Sequence, residues 1–542
     1  MIIQAPTRGL IEPLTVISRF RPHDFTLHDF LAVRVERQPN AMAVEFEGRG
    51  LTYAELASRC EQWATLLVQS GVKPGDRVGV MALNHPNTVA LLFAAARLNA
   101  ILVPLNPAYS VSEASYVIEH AAMSGVFVTV DTAQTIEGAL RETTATPWVR
   151  TLDDALPAPG IQVPPVSGGA DEPCLIIYTS GTTGRPKGVL HSQRAYVLTA
   201  EFFVERLWLQ PDERVMCVMP MFHINALMYS VGGALACGGA LVLVRRFSAS
   251  TFWATAAETR ATEVNLVASA GLILAQRPRE EFVASHSIRK MFVAPQTRQM
   301  VDALRNEFHV PLLIECYGMT EIPGVISNPF AGPHHLGTMG VLCKHPDSRI
   351  ERPQARIVDD QGHDVNPGTT GELLVRTPTM MLGYFRDPEQ TAQAFLDGWF
   401  RTGDLVALQD DGYFRFVARK RDIIRRRGEN IASAEVERVI AEHPDVHEVA
   451  VIGVPSDLGE EDILAAIVPV TGKVPEPSEL TRWVSSQLAA AKVPRYLSFV
   501  SEIPHTPTHK PAKHRLKEDP RVLAEAIDMQ REPYLHLAKD RR

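Results

Sequence analysis

From the N-terminus to about residue 400, the chain alternates short apolar runs with segments whose apolar residues have helical spacing. DRVGVMAL is followed by HPNTVALLFAAARLNA and then by ILVPL, and the runs SGVFVTV and EVNLVAS continue the pattern. Strands that alternate with helices predict parallel βαβ sheets, because a parallel strand pair needs a crossover segment. The predicted fold class is therefore α/β, in a chain of 542 residues that is too long for one hydrophobic core.

The pattern changes after about Arg421. The segment RDIIRRRG precedes a helical stretch, SAEVERVIAEH, then two strand-like runs, VHEVAVIGV and ILAAIVPV, a second helix, SELTRWVSSQL, and a last strand, YLSFV. This order predicts a compact α+β unit of ordinary domain size. We therefore expect a large N-terminal domain over residues 1–420, a smaller C-terminal domain over 421–520, and a loosely held tail over 521–542.

Charge and cysteine content narrow the functional class. The formal net charge of −8 argues against a general binder of nucleic acid or of anionic membranes. The six cysteines form no CxxC pair, which favours reduced thiols in a cytoplasm over a disulfide framework or a zinc site. The N-terminal residues lack a basic segment followed by an apolar one, so we expect no signal peptide and a cytoplasmic protein.

One uncharged segment, Ala226–Val244, is long enough to cross a bilayer. Two glycine pairs interrupt it, and the second pair, Gly238–Gly239, separates a helix-like half from the strand-like LVLV. We interpret the segment as a buried helix, a turn and a core strand, and expect no membrane span.

The stretch YTSGTTGRPKGVLH, Tyr178–His191, places small residues directly after the apolar run CLIIY. It is not a Walker A sequence, since the glycine spacing differs and Gly188 follows Lys187. Its backbone N–H groups can nonetheless form a nest for phosphate oxygens, to which hydroxyl donors and the Lys187 charge add. Taken alone, the stretch predicts either a phosphate-binding loop or a glycine-rich surface turn.

Further motifs follow this loop in a fixed order. They are ECYGMTE at Glu315–Glu321, GELLVR at Gly371–Arg376, GYFRDPEQTAQAF at Gly383–Phe395, GWFRTGDL at Gly398–Leu405, ARKRDIIRRRGENIASAEVE at Ala418–Glu437 and TPTHK at Thr506–Lys510. From about Leu51 to about Leu516 the chain resembles the adenylate-forming superfamily of acyl-CoA synthetases, peptide-synthetase adenylation domains and luciferases. The resemblance implies a large N-terminal domain of stacked βαβ sheets and a small α+β domain that rotates on a hinge.

The resemblance implies an ATP site and indicates which residues would form it. Tyr317 would lie against the adenine, Asp404 and Arg419 would bind the ribose, and Thr320 would bind the α-phosphate. Glu321, with Thr179, would hold Mg²⁺, a cation that prefers oxygen ligands. The full nucleotide-binding set is Thr179, Ser180, Gly181, Thr182, Thr183, Gly184, Lys187, Glu315, Cys316, Tyr317, Gly318, Thr320, Asp404, Arg419 and Lys510.

The catalytic residues implied by the resemblance are Lys510, His223 and Thr320. Lys510 would stabilise the negative charge that builds up as a carboxylate attacks the α-phosphate. His509 stands where the family usually has glycine before this lysine, which puts the shape of that loop in question. His223, in PMFHINAL, would act as a gate between the ATP and acyl pockets rather than as an acid–base catalyst. The resemblance also implies that Arg421, two residues after Arg419, is the hinge residue.

Two basic or histidine-rich features invite other interpretations. His443 and His447 are four residues apart, but Pro444 lies between them, so we expect no zinc site. The run RKRDIIRRR resembles a nucleic-acid signal, yet its context favours a strand and a turn at a domain junction. Some of its arginines, with Lys492 and Arg495, are candidates for the phosphates of CoA.

The implied function is activation of a small or medium carboxylic acid by ATP, followed by transfer to the thiol of CoA. Three pieces of chain are expected to line the acid pocket, namely Asn265–Gly271, Met291–Gln296 and Gly318–Glu321, with Val293 narrowing it. The motifs look most like the branch of carnitine and betaine CoA ligases. Two alternatives stay open: a stand-alone adenylation protein that loads a carrier protein, and a non-catalytic nucleotide-binding relative. A homodimer is also left open.

Overall fold

The computed structural model describes residues 9–154, 156–157, 166, 168–179, 186–426, 429–456, 460–505 and 511–531, with the backbone alone at 421, 429 and 430. Two compact units make up the chain. The first comprises Met1–Ala355 and Val375–Phe400, and the second comprises Arg356–Leu374 and Arg401–Arg542. The predicted domain boundary at 420/421 lies inside the second of these units.

Two seven-stranded sheets form the framework of the first unit. Each is mainly parallel, with antiparallel pairs at one edge. One sheet has the spatial order Leu312–Ile314, Lys290–Ala294, Glu263–Val267, Arg214–Cys217, Ala240–Leu243, Met42–Phe46 and Arg49–Thr52. The other has the order Gly383–Tyr384, Lys187–Ser192, Pro173–Thr179, Ile101–Leu105, Arg77–Met81, Gly125–Val128 and Trp148–Thr151.

Helices alternate with these strands along the first unit. The α-helices are Pro13–Ile17, Leu27–Arg37, Tyr53–Gln69, Pro86–Arg97, Val111–Ala121, Val130–Glu142, Gln193–Leu207, Gly232–Cys237, Phe252–Glu258, Ala268–Ala275, Arg298–Asp302 and Pro388–Gln393. Asn225–Val231 and Ala303–Glu307 are π-helical, and Arg279–Glu281 is a 3₁₀ turn. Pro86–Arg97 is apolar and buried on nearly every side, as expected of a helix enclosed by other elements. Cys316–Met319, Ile322–Ser327 and Val341–Leu342 form a small third sheet.

The second unit contains most of a sheet whose strands are Gln354–Val358, Gly371–Arg376, Trp399–Leu408 and Phe414–Arg419, with Phe395–Leu396 at one edge. The 3₁₀ turn Lys420–Asp422 and the strands Ile423–Arg426 and Glu429–Ala432 follow. The remainder is a four-stranded sheet, Val446–Pro455, Glu461–Pro469, Tyr496–Phe499 and Ile527–Asp528. Its helical segments are Ser433–Ala441, Pro477–Ser485, Ala490–Lys492, Lys513–Glu518 and Pro520–Ala524.

The predicted fold class is confirmed: the protein is α/β, with a larger N-terminal and a smaller α+β C-terminal part. The uncharged segment Ala226–Val244 folds as helix, turn and strand, and Gly238 has the positive φ of 76° that the turn requires. Among the described residues, no helix is long and apolar enough to cross a membrane.

The part of the predicted tail that the structure describes is more ordered than expected. Pro520–Ala524 is helical, and Ile527–Asp528 pairs with Tyr496–Phe499 as a strand of the sheet. Arg495 forms an ion pair with Asp528, which attaches this strand through side chains as well. The domain therefore extends past residue 520, because the edge of its sheet is completed by the segment that was expected to be loose.

Candidate active site

The predicted phosphate loop connects two antiparallel strands. Strand Pro173–Thr179 ends at Thr179, and strand Lys187–Ser192 begins at Lys187, so that these two residues lie opposite one another. Pro173–Thr179 also runs parallel to Ile101–Leu105, and the loop follows its carboxyl end, the end at which ligands bind in open α/β sheets. Ser180, Gly181, Thr182, Thr183 and Gly184 lie outside the described residues.

ECYGMTE forms a β-hairpin with the residues that follow it. Cys316–Met319 pairs with Ile322–Ser327, and Thr320 and Glu321 occupy the connecting turn. Gly318 is exposed, while Tyr317, Thr320 and Glu321 are partly exposed. A flat aromatic ring, a hydroxyl and a carboxylate are therefore carried by five successive residues of one hairpin, all within reach of solvent.

Glu321 contacts the segment that carries the GYFRDPEQ motif. The Tyr384 hydroxyl donates to Glu321 Oε1 at 2.9 Å, and the Met381 N–H donates to the Glu321 carbonyl at 2.9 Å. The ammonium of Lys187 lies 5.0 Å from the centroid of the Tyr384 ring, within the range of a cation–π interaction. Lys187 and Tyr384 both line a cleft of about 180 Å³. The sequence prediction did not include Tyr384, although its motif was recognised.

Glu315 differs from Glu321 in being buried. Its Oε2 accepts from the Gln296 N–H at 2.7 Å, and its carbonyl accepts from the Asn328 N–H at 2.9 Å. Burial raises the pKa of this carboxyl group to about 8, and the Gln296 hydrogen bond offsets part of the effect. The side chain of Glu315 thus supports the hairpin from beneath.

His191 is a second residue that sequence reasoning left out. It is fully buried on strand Lys187–Ser192, and its ring nitrogens have no hydrogen bond of good geometry with any described residue. Burial lowers the pKa of the imidazole to about 4, and the nearby Thr320 backbone offsets part of this. His191 is therefore a neutral ring beside the turn that carries Thr320.

In the second unit, Asp404 and Arg419 face each other on adjacent antiparallel strands. Asp404 is fully buried, and Arg419 Nε lies 3.0 Å from its Oδ1. The Asp404 N–H donates to Thr402 Oγ1 at 3.0 Å, which fixes the strand at this point. These two residues are fifteen positions apart in the chain, and the hairpin brings them into contact as an ion pair.

His223 lies at the start of an unusual helix. Its N–H donates to the Pro220 carbonyl at 3.1 Å, and its ring centroid is 4.1 Å from that of Phe222. The π-helix Asn225–Val231 follows directly, a geometry that is frequent at functional sites. His223 is partly exposed, and its predicted role as a gate stays a prediction.

The predicted acid-pocket walls pack against each other at Gly271. A Cβ atom there would lie 2.6 Å from Met300 Sδ and 3.0 Å from Val293 Cγ2. Val293 and Met300 are both fully buried. The space beside Gly271 is therefore already filled. A pocket lined by this wall would be shallow on that side.

Three of the basic residues considered for CoA are paired with carboxylates. Lys492 Nζ lies 2.7 Å from Glu435, and Arg495 forms ion pairs with Asp462 and Asp528. Arg426, in RKRDIIRRR, is buried against Asp462 at 3.0 Å. The described part of this run forms a 3₁₀ turn and a strand, and Arg426 and Arg495 are occupied in holding the small domain together. Lys510 and His509 lie outside the described residues, as does the side chain of Arg421.

The described donors suit Mg²⁺ and a nucleotide. Glu321 offers a carboxylate and Thr179 a hydroxyl, both hard oxygen ligands of the kind this cation takes. Lys187 supplies a positive charge at the end of the loop, and Tyr317 an aromatic ring.

Comparison with known proteins agrees with this chemistry. The family described as AMP-binding enzyme matches residues 31–385, and the AMP-binding enzyme C-terminal domain matches 435–510. An indoleacetate–CoA ligase from Aromatoleum aromaticum is 33% identical over 497 residues, covering 89% of this chain and 95% of that protein. A feruloyl-CoA synthase from Amycolatopsis is 33% identical over 486 residues, covering 89% of this chain and 97% of that protein.

A crotonobetaine/carnitine–CoA ligase of Salmonella is 29% identical over 493 residues, covering 86% of this chain and 93% of that protein. Among solved structures, ATP-bound MatB from Rhodopseudomonas palustris has a TM-score of 0.81 at 26% identity, covering 94% of this chain and 99% of that one. Because the family match spans more than half of the chain, and relatives named as CoA ligases align along most of it, the chain belongs to the AMP-binding enzymes and is an AMP-forming acid–thiol ligase.

Proposed function

We propose that this protein joins a small or medium carboxylic acid to CoA through an acyl-adenylate, with release of AMP and pyrophosphate. The observation that carries the proposal is the arrangement at the start of strand Lys187–Ser192. There a lysine, a tyrosine and the carboxylate of Glu321 lie in consecutive contact beside the phosphate loop. Such a group can hold a phosphate chain and its cation together.

In the first half-reaction, a carboxylate oxygen of the acid bonds to the α-phosphorus of ATP, and the bond to the pyrophosphate oxygen breaks. Thr320 holds an α-phosphate oxygen, and Lys187 holds the departing phosphates. Asp404 accepts hydrogen bonds from the ribose hydroxyls, with Arg419 fixing its orientation. Lys510 balances charge at the phosphorus, where a positioned cation lowers the barrier most.

Glu321 and Thr179 would hold Mg²⁺, which would neutralise phosphate charge when bound. The other nucleotide contacts come from the hairpin. Tyr317 lies against the adenine, and the backbone from Glu315 through Cys316 to Gly318 lines the base. His191 and Glu315 remain beneath this hairpin as neutral supports.

In the second half-reaction, the thiolate of CoA attacks the acyl carbon and AMP leaves as the phosphate anion. We propose that the small domain rotates about Arg421 between the two steps, since each step needs different groups around one site. His223 borders the acyl pocket and gates the passage between that pocket and ATP.

The acid is proposed to be short or aromatic. Val293 and Met300 fill the space beside Gly271, which disfavours a long alkyl chain. Relatives at 33% identity are named for indoleacetate and ferulate, both acids with an aromatic ring. A relative named for sulfoacetate is 30% identical, so a small acid is included in the proposal.

The test is ATP–pyrophosphate exchange with a panel of acids. We expect exchange with short or aromatic acids and none with long-chain fatty acids. The active acids are then assayed for thioester formation with CoA and, separately, with a carrier protein. Absence of exchange with every acid would support a non-catalytic relative, and transfer to carrier protein in place of CoA would support the stand-alone adenylation protein.

A further inference from the structure

The segment Met381–Tyr384 holds Glu321 at two points. The Met381 N–H donates to the Glu321 carbonyl, and the Tyr384 hydroxyl donates to Glu321 Oε1, each at 2.9 Å. The two residues of the side-chain contact are 63 positions apart in the chain. Among the described residues, no donor to Oε2 of Glu321 is present. The carboxylate is thus fixed through one oxygen, while the other faces no described partner.

Tyr384 is itself held firmly. Its N–H donates to Thr391 Oγ1 at 2.9 Å, and it lies opposite Val189 at the edge of the second seven-stranded sheet. The next N–H, of Phe385, donates to the Gly188 carbonyl at 2.7 Å. Gly383 precedes it with a φ of 147°, and a Cβ there would lie 2.9 Å from Thr391 Cγ2. The position of the hydroxyl therefore follows from the backbone of a strand and a helix start rather than from a free loop.

The hydroxyl and the ring of Tyr384 contact different neighbours. The hydroxyl reaches the proposed magnesium ligand, and the ring lies 5.0 Å from the ammonium of Lys187, the proposed phosphate contact. A carboxylate ligand is usually oriented by a hydrogen-bond donor that does not itself touch the metal, and removal of such a partner typically weakens metal binding by about 10–100-fold. A cation over an aromatic ring is likewise held in place without losing its charge.

We propose that Tyr384 is a positioning residue that orients the Glu321 carboxylate for the magnesium of Mg–ATP, while its ring directs Lys187 towards the phosphates. The inference rests on the proposed function and adds to it a residue that touches neither the metal nor the acid.

The decisive measurement is metal affinity without turnover. Mn²⁺ is titrated into each protein with α,β-methylene-ATP present, an analogue whose α–β bond does not break, and free Mn²⁺ is followed by electron paramagnetic resonance. Tyr384→Phe keeps the ring and removes only the hydroxyl, so we expect about tenfold weaker Mn²⁺ binding. Tyr196→Phe is the matched control, because that buried hydroxyl donates to the Leu227 carbonyl at 2.7 Å and does not contact Glu321.

Kinetics separates positioning from a general structural role. For Tyr384→Phe, the Mg²⁺ concentration for half-maximal exchange should rise by a similar factor, while KM for the acid and the melting temperature stay unchanged. Tyr384→Leu also removes the ring, so we expect it to bind the analogue more weakly than Tyr384→Phe does when EDTA has removed all metal. Unchanged Mn²⁺ affinity in Tyr384→Phe, or equal losses in the Tyr196→Phe control, would overturn the inference.

Glu321→Gln distinguishes this inference from the proposed function. If Glu321→Gln loses Mn²⁺ affinity and Tyr384→Phe does not, the metal site stands and the role of Tyr384 is wrong. If neither variant changes Mn²⁺ affinity, the metal assignment of Glu321 fails, and the inference fails with it.

Discussion

Glu321 in the first unit and Asp404 in the second are both proposed to bind parts of one ATP, yet their surroundings differ. Glu321 is partly exposed and accepts from a neutral hydroxyl, whereas Asp404 is fully buried and paired with Arg419 at 3.0 Å. Glu321 has no described ion-pair partner, which suits a proposed metal ligand. The charge of Asp404 is balanced by Arg419, which suits a proposed acceptor for ribose hydroxyls. The two carboxylates thus differ in whether a described cation neutralises their charge.

The largest effect is expected outside both carboxylates, at Lys510. Lys510→Ala should lower pyrophosphate release by roughly 100–1,000-fold, the usual cost of losing one charge-stabilising group at a transition state. Lys513→Ala is the control, since Lys513 lies just past the TPTHK motif and forms an ion pair with Glu437. If Lys510→Ala forms adenylate at the normal rate, Lys510 is not the cation that stabilises this transition state.

The hinge variant Arg421→Pro tests whether the small domain has to rotate between the two half-reactions. Proline restricts the backbone change, so thioester formation from preformed adenylate should fall about 100-fold, as for a misplaced catalytic group. Pyrophosphate release should persist. Equal losses in both half-reactions, measured separately, would contradict a rotation at this residue.

Glu321→Gln removes the charge that a metal requires and keeps the shape of the side chain. We expect exchange activity to fall by at least about tenfold at low Mg²⁺, with partial recovery as Mg²⁺ is raised. The melting temperature should not change, because Glu321 is partly exposed and forms no described ion pair. Glu389→Gln, on an exposed helix start, is the charge-matched control.

Asp404→Asn should instead change both binding and stability. It removes the negative charge from a buried ion pair; loss of one partner of a buried pair costs about 3–5 kcal/mol, and the partial exposure of Arg419 reduces that cost. We expect a lower melting temperature and about tenfold weaker nucleotide binding by calorimetry. Asp410→Asn, at an exposed turn, should change neither quantity. If Glu321→Gln and Asp404→Asn behaved alike, the contrast between the two carboxylates would be lost.

Glu315 gives the smallest effect on activity, and its contribution appears instead in the pH dependence of stability. Its pKa is raised to about 8 from an ordinary value of 4.5, so the folded state holds the proton more tightly than the unfolded state. This contribution to stability is complete below about pH 4.5 and is lost as the pH rises towards 8, by at most about 1.4 kcal/mol per pH unit. Glu315→Gln should therefore melt like the wild type at pH 5 and above it at pH 8. Parallel melting curves at both pH values would contradict the buried, protonated state.

The fold was predictable because its signals are local. Alternating apolar runs and helical segments identified the sheets, and a glycine with positive φ ended the helix of Ala226–Val244 as expected. The order in which strands pair was not predictable, since Met42–Phe46 joins Ala240–Leu243 across nearly two hundred residues. Nor was the attachment of Ile527–Asp528, because two residues carry too weak a pattern to be recognised as a strand.

The candidate site divides in the same way. Its motifs identify Thr179, Lys187, Glu321, Asp404 and Arg419 as a set, because their residue types and order can be read from the amino-acid sequence. Their roles, like those of Lys510 and Arg421, stay predictions. The motifs do not show which side chains support them. Tyr384 and His191 were missed, since a hydroxyl near a carboxylate or a ring beneath a turn leaves no periodic signal.

The sequence by itself determined the class of fold and the class of chemistry, AMP-forming activation of an acid, since both depend on short stretches whose residues are neighbours in the chain. Only the tertiary structure decided which charges are available. It pairs Arg495 and Lys492 with carboxylates, closes the space beside Gly271 with Val293 and Met300, and brings Tyr384 to Glu321. The reason is physical: the availability of a charge depends on its neighbours in space, and those neighbours come from strands that are distant in the chain.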